Sequence, residues 1–246
     1  MERIAIFAAL QWECRAVLGA LRQVRRRRLG AFTCWQGQAA AREVWVMKTG
    51  VGVARAAAAV DTLAGAAAFD LFVSSGCAGG LAPDLQPGDL VLASAISGDG
   101  TDVAIATADG VRADAGAAAA AAGLRYVEGP LVCSNEALLT VAAKRAAAAA
   151  GAVVVEMEGG AIAAGAAAAH VPLLSVRAIL DAAEHELQVP GHVVDAATGA
   201  VRPLALAAHV AAHPRVLGEL MALQRMQRAA RTSLERFFTQ WLSGSA

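Results

Sequence analysis

The sequence predicts an α/β fold, a three-layer sandwich in which a mixed central sheet is covered by helices on both faces. Three observations carry this. Short apolar runs rich in β-formers alternate with helical stretches along the 246-residue chain, the pattern of strands joined by crossovers. Two of the runs are joined too closely for a crossover and read as a hairpin, so the sheet is mixed. Finally, 57% of the residues are hydrophobic and only 17% charged, enough for a sizeable core and too little charge for disorder.

The elements follow in order. Arg3 to Ala9 (RIAIFAA) reads as a first strand and Gln11–Leu21 as a helix. The run Arg25–Arg28 reads as an exposed loop, where charge runs usually sit. Ala31–Gln36 and Glu43–Lys48 flank the turn-like GQAAAR and form the hairpin. TGVGVARAAAAV is a glycine turn running into an alanine-rich helix, alanine being the strongest helix former. Leu71–Ser74, Leu90–Ile96, Leu124–Cys133, Val153–Glu156 and Leu173–Ile179 supply further strands. Helices are expected over 136–149, 158–169 and much of 203–242. With no repeat and no Pro/Ser-rich linker, residues 1–246 read as a single domain ending in an amphipathic helix at about 214–242.

Composition limits the function. Twenty-one basic and 21 acidic side chains cancel to zero, which argues against a nucleic-acid partner. Mean hydropathy is +0.49, yet the alanine blocks at 115–122 and 142–150 lack the Leu, Ile and Phe of a membrane span. The Met-Glu-Arg start has neither the basic opening nor the small-residue cleavage site of a secretory signal. Cys14, Cys34, Cys77 and Cys133 lack CxxC spacing and read as free thiols of a reducing cytoplasm. The five histidines form no metal motif, so neither metal nor cofactor is expected.

Three glycine-rich turns stand after strand-like runs: Thr49-Gly50-Val51-Gly52, Gly76 to Gly80, and Gly159-Gly160. None spells GxGxxG and no Walker lysine follows, so alone each is strand–helix punctuation. Acids accompany them. Glu156-Met157-Glu158 lies where a strand turns into a helix, Asp181 lies just past another strand, and Glu13 follows the first. Ligands of open α/β sheets gather at the carboxyl ends of strands, so Glu13, Glu158 and Asp181 are expected to meet in one pocket. Such carboxylates suit acid–base work on a cation-like transition state. Leu10, Val51 and Leu138 are candidate apolar liners, with core packing the alternative; Glu156 is either a substrate contact or an ion-pair partner of Arg177.

SGCAGGLAPDLQPGDLVL, VVEMEGGAIA and VRAILDAAE resemble, in order, the signature stretches of the purine nucleoside phosphorylase and uridine phosphorylase superfamily. The likeness runs from residue 3 to about 185 and is strongest to the adenine-releasing methylthioadenosine/S-adenosylhomocysteine nucleosidases. It implies the nucleoside phosphorylase-like fold and cleavage of a purine nucleoside. It also implies that Glu158 holds the ribose, that Asp181 is the acid for the purine and that Glu13 activates water. Met157, Glu156, Cys77, Val51 and Leu138 would complete substrate binding. No cofactor is implied, the partner is a small purine nucleoside, and a homo-oligomer is expected, a dimer first.

The chain also departs from that pattern. The first loop reads Ala-Leu-Gln-Trp-Glu instead of the Gly-Asp-Pro of phosphorylases, and Ser74 stands where they carry an arginine. Losing a guanidinium fork removes the strongest phosphate anchor, so water is the expected nucleophile, with Arg15, Arg42 and Arg55 the remaining candidates for charge. Cys77 replaces the usual Ser, and Leu138 replaces the aromatic expected over the purine. Beyond Asp181 the tail resembles the hopanoid-associated branch, whose members are held to remove adenine from adenosylhopane. Its apolar positions from Leu217 to Trp241, with Arg225, Arg228, Arg231 and Arg236 opposite, admit two readings. One is a helix docked on its own core or on a partner subunit; the other is a basic amphipathic helix touching the inner face of the membrane.

Overall fold

A computed structural model describes residues 1–186 and 216–244 of the chain. Its centre is a ten-stranded mixed sheet. The strands are β1 (Glu2–Ala8), β2 (Arg22–Leu29), β3 (Phe32–Ala39), β4 (Arg42–Lys48), β5 (Leu71–Gly80), β6 (Leu90–Gly98), β7 (Ile105–Ala106), β8 (Tyr126–Cys133), β9 (Val154–Glu156) and β10 (Leu173–Asp181). The helices are α1 (Gln11–Leu18), α2 (Val53–Ala64), α3 (Asp109–Ala121), α4 (Val141–Ala149), α5 (Gly159–Ala168) and α6 (Val216–Ser243).

Alternation along the central strands explains the three layers. Successive side chains of a strand point to opposite faces, so a strand apolar at both parities buries both. In β1, Ala5 and Phe7 join one apolar cluster while Ile4 and Ile6 join the other. The first cluster is covered by α2 through Ala56, Ala59, Val60 and Leu63, and by α5 through Ile162, Ala163 and Ala166. The second is covered by Cys14, Ala16 and Val17 of α1, Ala115 and Ala119 of α3, and Leu234, Phe237, Phe238 and Trp241 of α6. The sheet is therefore sandwiched between helices, as the alternating pattern predicts.

Topology creates one opening. β10 runs parallel to β5 from Phe72 to Gly79. On the other edge of β5, β1 pairs parallel over Leu71–Ser74, and β9 pairs antiparallel only at Gly79 and Gly80. Between Ser74 and Gly79 that edge has no ladder partner, and the carboxyl end of β1 parts there from β9. Strands β5, β10, β6, β8 and β9 close on themselves, while β1, β4, β3 and β2 extend the sheet outward.

Three local expectations change. Arg25–Arg28 belong to β2, an exposed strand at the sheet's end paired antiparallel with β3. An edge strand with no buried face carries no apolar alternation, and its arginines keep the open edge from pairing further. The stretch Gly76–Gly80 is the second half of β5 and not a turn. The helix expected from residue 136 begins at Val141, where Thr140 Oγ1 caps it by accepting from the Ala143 N–H at 3.2 Å. The helix expected over 203–242 is described only as α6, and residues 203–215 lie outside the described residues.

Candidate active site

The opening beside β5 leads to a cavity of about 180 Å³. Glu13, Asp181, Glu158, Met157, Glu156, Cys77, Val51 and Leu138 all line it, together with Leu10, Leu139 and Leu180. The structure thus brings every candidate site residue other than the three arginines to one place. Each carboxylate is held there for a different reason.

Glu13 is 3% exposed and lies in the first turn of α1. The Leu10 N–H donates to its Oε2 at 2.8 Å, closing the helix start as the acid of a capping box does. The Cys77 N–H donates to Oε1 at 2.9 Å, using a strand amide that the parting of β1 and β9 leaves free. Burial pushes the carboxyl above the usual range, against the pull of these two amides and of Arg177. A Cβ at Gly76 would come within 2.8 Å of Glu13 Oε1 and 2.9 Å of Arg177 Nη1. Only glycine leaves room for both side chains over the strand.

Glu158 stands at the N-cap of α5, but its side chain makes no cap bond. Instead the Gly52 N–H donates to Oε1 at 2.7 Å, from a glycine at φ 98° that opens α2. Burial, aided by the neighbouring charge of Glu156, pushes the Glu158 carboxyl up to about 8. Glu156 serves the backbone: it accepts from the N–H groups of Glu158 at 3.0 Å and Gly159 at 2.8 Å. It also pairs with Arg177 at 2.7 Å, both side chains being almost wholly buried. Glu156 is thus the ion-pair partner of Arg177, and it also borders the cavity. Arg177 further donates to Ser74 Oγ.

Asp181 ends β10. Between Ile179 and Asp181 the register against β5 shifts, so that Asp181 lies opposite Gly79. This irregularity lets consecutive residues Leu180 and Asp181 both border the cavity, which a regular strand would send to opposite faces. The carboxyl pairs with Lys144 of α4, a residue that sequence reasoning missed. A signal was present: this is one of only two lysines in a chain whose other cations are arginines, set inside an alanine block. Burial pushes the Asp181 carboxyl up, while the bond and charge of Lys144 pull it down.

The arginines considered for phosphate are placed elsewhere. Arg42 pairs with Glu2 at 2.8 Å and donates to the Trp241 carbonyl at 3.0 Å. Arg55 Nε donates to the Thr49 carbonyl at 3.3 Å, and neither it nor Arg15 borders the cavity. Cys77 does border it, and burial together with Glu13 raises its thiol well above the ordinary range, so the thiol stays protonated.

A strand-end cavity lined by four buried acids places the molecule in a class, and comparison with known proteins names that class. The family described as the Phosphorylase superfamily matches residues 3–211, and the chain belongs to it. A 5′-methylthioadenosine/S-adenosylhomocysteine nucleosidase of Aeromonas salmonicida is 30% identical over 101 residues, which are 41% of this chain and 44% of that protein. The match thus spans less than half the length of this curated relative. The crystal structure of a nucleosidase of the same name from Neisseria meningitidis, in complex with methylthio-immucillin-A, superposes with a TM-score of 0.77 at 18% identity, covering 99% of each chain. A futalosine hydrolase mutant of Helicobacter pylori gives 0.66 at 21% identity over 73% of this chain and 89% of that one. At these identities the solved structures establish the shared fold.

Proposed function

We propose that the protein hydrolyses the N-glycosidic bond of a purine nucleoside, with Asp181 and Glu13 as acid and base. The observation that carries this is the meeting of Glu13, Glu158 and Asp181 around one apolar-walled cavity. Breaking the C1′–N9 bond leaves positive character on the ribose and negative charge on the base. Asp181 answers the second by giving a proton to N7, a contribution of about 10² to 10⁴ in rate. Glu158 answers the first by accepting from ribose hydroxyls and favouring positive charge in the sugar. Met157 packs its thioether on the sugar face, and Glu13 takes a proton from the attacking water.

Water is the nucleophile we favour because no arginine lines the cavity among the described residues, and the buried Arg177 gives its Nη2 to Glu156 and Ser74. Adenine is the base we favour, by analogy with the nucleosidases of similar fold. A bulky apolar 5′ substituent fits the wall formed by Leu10, Val51, Leu138 and Leu139. A hopanoid substrate belongs to this reading as its most specific form. The tail composition that suggests it falls mainly in residues 187–215, outside the described residues. The decisive measurement incubates the protein with a panel of purine nucleosides, with and without phosphate, and resolves released base and sugar by chromatography. Free ribose without phosphate supports the proposal. Ribose 1-phosphate formed only with phosphate replaces it with a phosphorylase, and no base release removes both.

A further inference from the structure

The alanine-rich helix α4 exposes most of its surface, yet it sends one charged side chain inward. Lys144 is 1% exposed, the most buried charge in the described residues. Burying an ammonium is costly unless every proton finds an acceptor. Here all three do: Nζ donates to the Ala182 carbonyl at 2.8 Å, to the His185 carbonyl at 2.7 Å and to Asp181 Oδ2. No donor remains for a ligand, so Lys144 acts through Asp181 alone. Asp181 meanwhile borders the cavity, and among the described residues its Oδ1 accepts no hydrogen bond.

We propose that Lys144 is a positioning residue for glycosidic cleavage, which holds Asp181 by Oδ2 with Oδ1 left for the purine, and compensates the carboxylate that proton donation creates. The inference rests on the hydrolase reading above. In the step itself the Asp181 O–H proton passes to purine N7, the C1′–N9 electron pair enters the base, and water adds to C1′ and gives its proton to Glu13. The cycle closes when Glu13 returns a proton to solvent and Asp181 takes one. The donated proton leaves a carboxylate in a site that water barely reaches. An adjacent ammonium makes that carboxylate tolerable and the acid strong enough to act. The groups facing Asp181 are Lys144 from α4 and His185 from the segment after β10. Glu13, Glu136, Glu156, Glu158 and the Cys77 thiol share its cavity. Gly79 faces it from β5 and adds no charge. Of these, Lys144 alone is bonded to it.

Lys144→Met and Lys144→Gln separate this role from a structural one; the glutamine keeps donors for the two carbonyls. Each is compared with the intact protein on an adenine nucleoside and on a 4-nitrophenyl riboside, whose leaving group departs without protonation. On the nucleoside we expect kcat to fall about 10²-fold with KM within a few-fold. The basic limb of the kcat–pH profile should move to higher pH, because the acid loses the cation that lowers it. The 4-nitrophenyl riboside should be cleaved within a few-fold of the unaltered rate. Equal losses on both substrates, including loss by misfolding of both variants, overturn the proposal in favour of a structural lysine. Unimpaired variants overturn it as well. If the unaltered protein releases no base from any nucleoside, the hydrolase reading falls and the role of Lys144 falls with it.

Discussion

Glu13, Glu158 and Asp181 share one physical predicament: each carboxyl is buried, and burial raises all three. Their surroundings then diverge. Glu13 has two backbone donors, Glu158 has one donor and an acidic neighbour, and Asp181 has a lysine. Replacing Asp181 by Asn should lower kcat for purine release about 10²-fold or more, read from initial rates of the purified variant. Near-normal turnover would end its assignment as the acid. The raised carboxyls also set a pH dependence of stability. An acid with a folded value above its unfolded one keeps its proton in the fold, so its contribution is complete below about pH 4.5 and is lost as pH rises through the folded value. For Glu158 that window extends to about 8. The melting temperature should therefore fall between pH 5 and pH 8, and Glu158→Gln should flatten the decline. An unchanged slope in that variant would mean Glu158 is ionised in the empty site.

Helix α6 shows how an element's neighbours settle what its amphipathicity means. From Ala230 to Leu242 its apolar stripe is fully spent on the protein's own core. Phe237 stacks on Trp241 at 5.8 Å between ring centroids, and the Arg42 guanidinium lies 5.6 Å from the Trp241 ring. The docked reading holds for this half of the helix, whose apolar face is not available to a bilayer. Among the described residues no helix is long and apolar enough to cross a membrane. Phe237→Ala should cost about 3–5 kcal/mol of stability, the range for emptying a fully buried aromatic site, measured by chemical denaturation. A loss below 1 kcal/mol would mean that α6 is only loosely docked.

For the whole molecule under the proposed hydrolase function, the balance of the cavity wall is decisive. Its buried acids lie at the carboxyl ends of β9 and β10 and at the start of α1, whereas Leu10, Val51, Leu138 and Leu139 supply much of its apolar wall. No arginine lines the cavity among the described residues, so a 5′-phosphate finds no fork to bind it. Adenine nucleosides carrying a large hydrophobic 5′ group should show higher kcat/KM than adenosine, and AMP should be poor. Each buried methylene adds about 0.8 kcal/mol, so a few suffice for large discrimination. Comparison of adenosine, methylthioadenosine, a long 5′-alkylthio analogue and AMP checks this, and either adenosine or AMP ranking first would remove the apolar arm.

Much of this was readable along the chain because its causes are local. Short apolar runs such as Arg3 to Ala9 and Leu173–Ile179 mark buried strands wherever they end up, and acids placed just after strands mark the binding edge of an α/β sheet. The family signatures brought Glu13, Glu158 and Asp181 together in advance. Arg25–Arg28 were illegible as a strand because an exposed edge needs no apolar face, and pairing with β3 alone makes them one. The glycines of β5 looked like a turn because glycine marks both turns and close packing, and only the approach of Glu13 and Arg177 to Gly76 decides between them. Lys144 was hidden for the same reason in its strongest form. A charge within an alanine helix reads as solvated, and the partner that draws it inward lies 37 residues away on another element. Periodicity and local chemistry are written in neighbouring residues; burial and charge pairing are set by contacts that exist only once the chain has folded.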